Sequence, residues 1–165
     1  MQVCRNADME YNIYNADDFF YMEKALEQAK TAKNINEVPV GCVIARNGGI
    51  IASGYNRREN DRDALAHAEI AAIKTACEKT GSWRLDSCDL YVTLEPCAMC
   101  AGAIINSRIR RVIFGAADKK SGAFGGVINL NDYPFNHKPD IKGGVLENEA
   151  GALLREFFSD LRGSR

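Results

Sequence analysis

The sequence predicts a three-layer α/β/α sandwich around a mixed sheet of about five strands. Helix-spaced apolar segments alternate with short β-branched runs, the pattern of a sheet covered by helices on both faces. Asn47-Gly48-Gly49 joins two such runs through a turn that favours an antiparallel hairpin. No internal repeat competes with this reading.

Residues 1–15 lack periodicity and read as an extended or poorly ordered N-terminal tail, leaving 16–165 as a single domain. Asp17 or Asp18 caps a first helix, in which Phe19, Met22, Leu26 and Ala29 recur as a core stripe. Asn34–Glu37 breaks it. Val38–Arg46 and Ile50–Tyr55 are the hairpin strands, and the polar Asn56–Asp63 reads as a loop. Ala66–Lys79 is alanine-rich and helical, with Gly81 as its stop. Asp89–Thr93 is a short strand. Pro96 suits the first turn of a helix running to about Ser107, because its missing N–H costs nothing there. Arg111–Gly115 is a further strand, and 118–139, with Gly122, Gly125, Gly126, Pro134 and Pro139, is mostly loop. Ile141–Leu146 and Glu147–Leu161 complete the chain as strand and helix.

A chain of 165 residues, 46% hydrophobic, suffices for one domain with a full core. The net charge of −1 supplies no broad attraction for nucleic acid, so any such contact must be local. No apolar run approaches the ~18 residues of a membrane span. Asp8 and Glu10 interrupt any secretory signal near the start. The six cysteines then read as reduced thiols and metal ligands, which implies a cytoplasmic protein.

The chemistry concentrates in two places, His67-Ala68-Glu69 and Pro96-Cys97-Ala98-Met99-Cys100. Alone, the cysteine pair is equally a redox pair or half of a zinc finger. With the histidine it makes three ligands for one Zn²⁺: His67, Cys97 and Cys100. Cys97 and Cys100 share a helix face, and a helix N-terminus favours the thiolate that binds metal. Structural zinc normally takes four protein ligands, so three leave a position for water, which catalytic zinc acidifies to a pKa of roughly 7. Glu69, beside the ion without binding it, is the candidate proton shuttle. Inside one helix His67 and Glu69 would point about 200° apart. They serve one site only if that helix starts at 66–68. Cys88 lies before its strand and is set aside as a fourth ligand; Cys4, Cys42 and Cys77 read as tail or core.

These motifs resemble the zinc-dependent cytidine and deoxycytidylate deaminase superfamily, whose signature is His-x-Glu followed by Pro-Cys-x-x-Cys. The flanking segments Glu37-Val38-Pro39-Val40-Gly41, Gly54-Tyr55-Asn56-Arg57, Leu90–Cys97, Ala101–Ile104, Ser107–Ile109, Phe114–Ala116, Asn136-His137 and Ala152–Leu154 are similar to those of the bacterial tRNA-specific adenosine deaminase family. The resemblance covers roughly residues 16–162. It implies a cytidine deaminase-like fold, one Zn²⁺ per subunit with a bound water or hydroxide, and Glu69 as general acid and base. The reaction implied is hydrolytic deamination of adenosine to inosine at the wobble position of a tRNA anticodon. It also implies that Asn56 hydrogen-bonds the target base, that Val38 and Ala68 line its pocket, and that Asp118 contacts the RNA backbone. The implied partners are a tRNA anticodon stem–loop and a second subunit, as a homodimer. From the residues alone, Asn56 is equally a turn residue and Asp118 a loop aspartate.

Arg57, Arg58, Arg62, Arg108, Arg110, Arg111, Lys119 and Lys120 are dense enough to line a phosphate path. Phe124 stands where the family tends to carry a small residue, and Tyr133 lies in a variable loop; both are expected at the RNA side. A small-molecule nucleobase deaminase, for guanine or cytosine, shares the zinc motif and suits the near-neutral charge. A non-enzymatic zinc module is the third reading, opposed by Glu69 and the three-ligand count.

Overall fold

The computed structural model describes residues 16–164, so the expected tail 1–15 and Cys4 lie outside the described residues. The chain runs α1 (Ala16–Asn34), β1 (Gly41–Arg46), β2 (Gly49–Tyr55), α2 (Arg58–Asp61), α3 (Ala68–Thr80), β3 (Asp89–Leu94), α4 (Ala98–Asn106), β4 (Arg111–Ala116), β5 (Asp140–Gly143) and α5 (Glu147–Gly163). A 3₁₀ turn, Leu130–Asp132, lies between β4 and β5. The sheet order is β2-β1-β3-β4-β5. β1 is antiparallel to β2 and β3, whereas β3, β4 and β5 are parallel. This is the mixed five-stranded sheet that the sequence predicts.

Side-chain alternation assigns the layers. Cys42, Ile44, Leu90, Val92, Val112 and Phe114 face α3 and α4, where Ala68, Ala72, Ile73, Ala101 and Ile104 cover them. The intervening Val43, Ala45, Tyr91 and Ile113 pack under Tyr21, Met22 and Ala25 of α1. Leu26, Ala116 and Ala150 join α1 and α5 on that same face. The central strands are therefore buried on both sides, which is why they read as continuous apolar runs. Gly41 carries no side chain because a Cβ there would run into Ala25 O and Ala29 N of α1.

The hairpin turn is as expected, with positive φ at Asn47 (51°) and Gly48 (77°). Four boundaries differ. β1 begins at Gly41 rather than Val38, because Pro39 has no N–H and Val40 N–H turns back onto Val38 O (2.8 Å). β5 stops at Gly143, since Gly144 (φ 95°) and Leu146 (φ 52°) turn the chain into α5. The expected loop 56–63 contains the single-turn α2, closed by the Arg57–Asp61 ion pair at 2.8 Å. Asp18 is not a cap. It is fully buried, accepts the Tyr91 hydroxyl (2.9 Å) and pairs with Arg111 (3.2 Å).

Arg111 also reaches Asp89 at 3.1 Å, and Asp89 takes a two-pronged hydrogen bond from Arg110 (2.9 Å each). Arg111 thus locks α1 to the start of β3 and β4, with Arg110 paired to Asp89 beside it. Removing one partner of a buried pair strands the other. Asp18→Ala is expected to cost about 3 kcal/mol, at the low end for buried pairs because Arg111 keeps Asp89; urea unfolding measures it.

Candidate metal centre and active site

Both metal-ligand segments are helix N-termini, and both are held there by strand-like contacts. His67 is the N-cap of α3, with extended backbone (φ −82°, ψ 154°) and its carbonyl accepting from Ala71 N–H. Arg57 N–H donates to Ala66 O (3.0 Å), which ties the approach to His67 onto the end of β2. Glu69 therefore sits in the first turn, and it shares a site with His67 as the phase argument requires. Gly54 of β2 lets α3 lie this close: a Cβ there would strike Ala68 O and come within 2.9 Å of Ala71 Cβ and Ala72 N. Gly54→Ala should force β2 and α3 apart at His67, destabilising the protein by about 1–3 kcal/mol and weakening zinc retention during dialysis against a chelator.

Cys97 is the N-cap of α4 (φ −72°, ψ 173°), not a first-turn residue, and Pro96 precedes the helix. The cause is a loop that binds this segment from outside. Ala123 N–H donates to Pro96 O (2.9 Å), and Cys97 forms a single antiparallel bridge with Gly122. Both hold 96–97 extended, so the helix starts at Ala98.

The ligand atoms of His67, Cys97 and Cys100 all lie within 4.8 Å of one another. His67 Nδ1 is 3.7 Å from Cys97 Sγ and 3.5 Å from Cys100 Sγ. Tetrahedral zinc with Zn–S ~2.3 Å and Zn–N ~2.0–2.1 Å separates sulfur from nitrogen by about 3.6 Å, so the donor set fits zinc as it stands. Cys88 is buried elsewhere, under Leu85, and is not a member of this cluster. Glu69 is not a member either.

The electrostatics divide the roles. A hydrogen bond from Cys100, and then one from His67, pulls the Cys97 thiol down to about 4. The same contact with Cys97, followed by burial, pushes Cys100 up. The pair is thus polarised toward a thiolate at Cys97, the form in which a thiol binds metal. Hydrogen bonding to Cys97 raises His67. Burial pushes Glu69, 4% exposed, up to about 7.

A cavity of about 210 Å³ opens onto these groups. Val38, Asn56, Ala68 and Asp118 all line it, together with His67, Glu69 and Cys97. The structure thus gathers every site residue singled out in the sequence except Cys100, which lies beneath, fully buried. Asn56 is 8% exposed, its amide hydrogens directed to Val38 O (3.3 Å) and Glu37 Oε2 (3.4 Å). Arg58 also reaches the wall, whereas Arg57 is held by Asp61 and Tyr55. Phe124 does not line the cavity: it is 7% exposed and belongs to the core cluster with Ala101 and Leu130. Tyr133 is exposed beside Phe135.

Two acids that the sequence reading passed over support the cavity. Glu37 is buried and accepts from Asn60 N–H (2.7 Å), Asn60 Nδ2 (2.9 Å) and Asn56 Nδ2. Glu95 is buried and accepts from the N–H groups of Asp118, Phe124 and Gly126. Each acid adjoins Val38-Pro39 or Pro96, and the closely spaced Gly122 and Gly126 are the signal that a backbone wraps something tightly.

The cytidine and deoxycytidylate deaminase zinc-binding region matches residues 15–116. A tRNA-specific adenosine deaminase of Bacillus subtilis is 48% identical over 146 residues, covering 88% of this chain and 91% of its own. That of Aquifex aeolicus is 46% identical over 144 residues, 87% and 95% of the two chains. A solved tRNA:A34 deaminase that edits A to I at the wobble position superposes with TM-score 0.80 at 46% identity, covering 82% of this chain and 99% of that one. A Bacillus subtilis guanine deaminase structure is 38% identical but covers 63% of this chain, with TM-score 0.58. The chain therefore belongs to the zinc-dependent cytidine and deoxycytidylate deaminase family, on its branch of tRNA-specific adenosine deaminases.

Proposed function

We propose that this protein deaminates adenosine to inosine in tRNA, at the wobble position of the anticodon. The observation that carries the reading is the cavity over the His-Cys-Cys cluster. At about 210 Å³ it is smaller than the ~300–1,000 Å³ of a drug-sized site and suits one planar base rather than a folded nucleic acid. A base must leave its stack to reach such a depth, which favours the splayed nucleotides of an RNA loop.

His67, Cys97 and Cys100 would hold one zinc ion per subunit, and zinc held so supplies a Lewis acid that acidifies a water in its fourth position to a pKa of roughly 7. Val38 and Ala68 pack against the flat base, and Asn56, whose amide hydrogens are directed to Val38 O and Glu37, turns its side-chain carbonyl to the polar edge. Glu69 takes the proton released when water adds to the amine-bearing carbon and passes it to the adjacent ring nitrogen; it then carries the remaining hydroxyl proton to the departing amine as the carbonyl forms. Water is consumed, the carbon–nitrogen bond breaks, and ammonia leaves. Asp118, which also lines the cavity, would meet the RNA backbone close to the flipped nucleotide, its carboxylate accepting from a sugar hydroxyl. The reading carries with it a cytoplasmic location and a homodimer. No helix among the described residues is long and apolar enough to cross a membrane.

The test is incubation of the zinc-loaded protein with anticodon stem–loops carrying adenosine at the wobble position, with inosine read by mass spectrometry. Conversion of the stem–loop, and no ammonia from free guanine or cytosine, is expected. Ammonia from free guanine with no inosine would instead favour the guanine deaminase relationship.

A further inference from the structure

Glu95 is a carboxylate buried to 3% exposure whose partners are backbone amides. Oε2 accepts from Asp118 N–H at 2.9 Å, and Oε1 accepts from Phe124 N–H at 3.0 Å and Gly126 N–H at 2.8 Å. The loop closes on it without room to spare. A Cβ at Gly122 would press on the Glu95 carboxyl group, 2.5 Å from Oε1, and one at Gly126 would lie 2.7 Å from Oε2 while striking Asp118 O. A carboxylate that accepts from three amide donors makes strong, short contacts, and here they gather a loop with little other regular structure.

That loop bears one wall of the cavity. Asp118 and Ser121 line it, as does Glu95 itself, with Ser121 Oγ donating to Asp118 Oδ2 at 2.5 Å. Asp118 Oδ1 accepts from the N–H groups of Lys120 and Ser121. The loop is thus anchored twice, by the Cys97–Gly122 bridge beside the metal donors and by Glu95 beneath Asp118. The base-facing residues Val38, Asn56 and Ala68 belong to other segments.

We propose that Glu95 is a positioning residue: its carboxylate holds the 118–126 loop in place as a cavity wall, and so sets how tightly the bound nucleotide is held without taking part in the chemistry. The inference deepens the deaminase reading and rests on it. It separates two functions within one short segment, with Cys97 serving the metal and Glu95, two residues earlier, serving substrate binding.

The test compares zinc-loaded wild type, Glu95→Gln and Gly126→Ala. Glutamine keeps the volume but sets an amide N–H₂ against backbone N–H donors; alanine at 126 leaves the carboxylate and pushes the loop off it. In both variants amide exchange across 118–126 should quicken by about tenfold or more, as expected for a locally opened segment. KM for the anticodon stem–loop should rise about tenfold or more, with kcat within about threefold and zinc content unchanged. Combining the two should cost little more than either alone, since both break one contact set. A merely structural role would lower thermal stability, or lose zinc, with KM unchanged. The proposal is overturned if the loop keeps its protection, or if activity falls only in proportion to zinc lost. If Glu95→Gln does not fold, Gly126→Ala carries the same readouts. If wild type forms no inosine, the deaminase reading fails, while amide exchange still decides whether Glu95 holds the loop.

Discussion

Replacing Glu69 by glutamine is expected to lower turnover by about 10²–10⁴-fold or more while leaving zinc bound. Glutamine fills the same volume and can still hydrogen-bond, but it cannot take up and return a proton. Glu69 suits that task for two physical reasons. Its carboxylate lies outside the His67, Cys97, Cys100 cluster, so the metal does not consume it. Burial pushes it up to about 7, close to the pH at which an acid–base group is effective in both directions. Removing a buried carboxylate also removes a desolvation cost, so the variant should melt no lower than wild type. Metal analysis, melting and turnover on one preparation decide the matter. Zinc lost together with activity would make Glu69 a ligand, and turnover retained would remove it from the chemistry.

What the sequence shows openly is what depends on near neighbours along the chain. The hairpin rests on Asn47 and Gly48, which tolerate positive φ. The metal site rests on spacing within Cys97–Cys100 and on the helix phase that separates His67 from Glu69, and both positions prove to be N-caps. Glu95, Glu37 and Asp18 escape a sequence reading because their partners are remote. Glu95 meets Phe124, Glu37 meets Asn60, and Asp18 meets Arg111, 93 positions away. An acid beside a proline, or in the first turn of a helix, looks like surface or cap until the fold brings its donors to it. Two arginines of the basic cluster have hidden partners in the same way. Arg110 and Arg111 resemble a phosphate path in sequence, but Asp89 and Asp18 engage them at the start of β3 and β4. The metal donors follow the other ends of these strands, about 16 Å away at ~3.3 Å per residue. Phe124, expected at the RNA side because the family tends to carry a small residue there, is buried in the core cluster of α3 and α4.

Stripping zinc is expected to lower the melting temperature by about 8–16 °C without unfolding the protein at 25 °C. An ion held at about a thousand times its dissociation constant stabilises the native state by ~4 kcal/mol, and each kcal/mol moves a chain of this size by about 2–4 °C. The fold survives because the ion clamps two helix starts that already have other anchors. His67 is tied through Arg57 and Ala66 to β2, and Cys97 through Gly122 and Pro96 to the 118–126 loop. The empty donor set is not repulsive either, since Cys97 as thiolate accepts from Cys100 and from His67. A small zinc-dependent domain lacks such a core and unfolds outright on losing its metal; here the five-stranded sheet is packed on both faces. Scanning calorimetry of the loaded, chelated and zinc-restored protein checks this, and restoration should recover both melting temperature and turnover. Cys100→Ala and His67→Ala should melt near the chelated protein and regain nothing from added zinc. A melting temperature indifferent to metal would mean that these three side chains do not hold the ion.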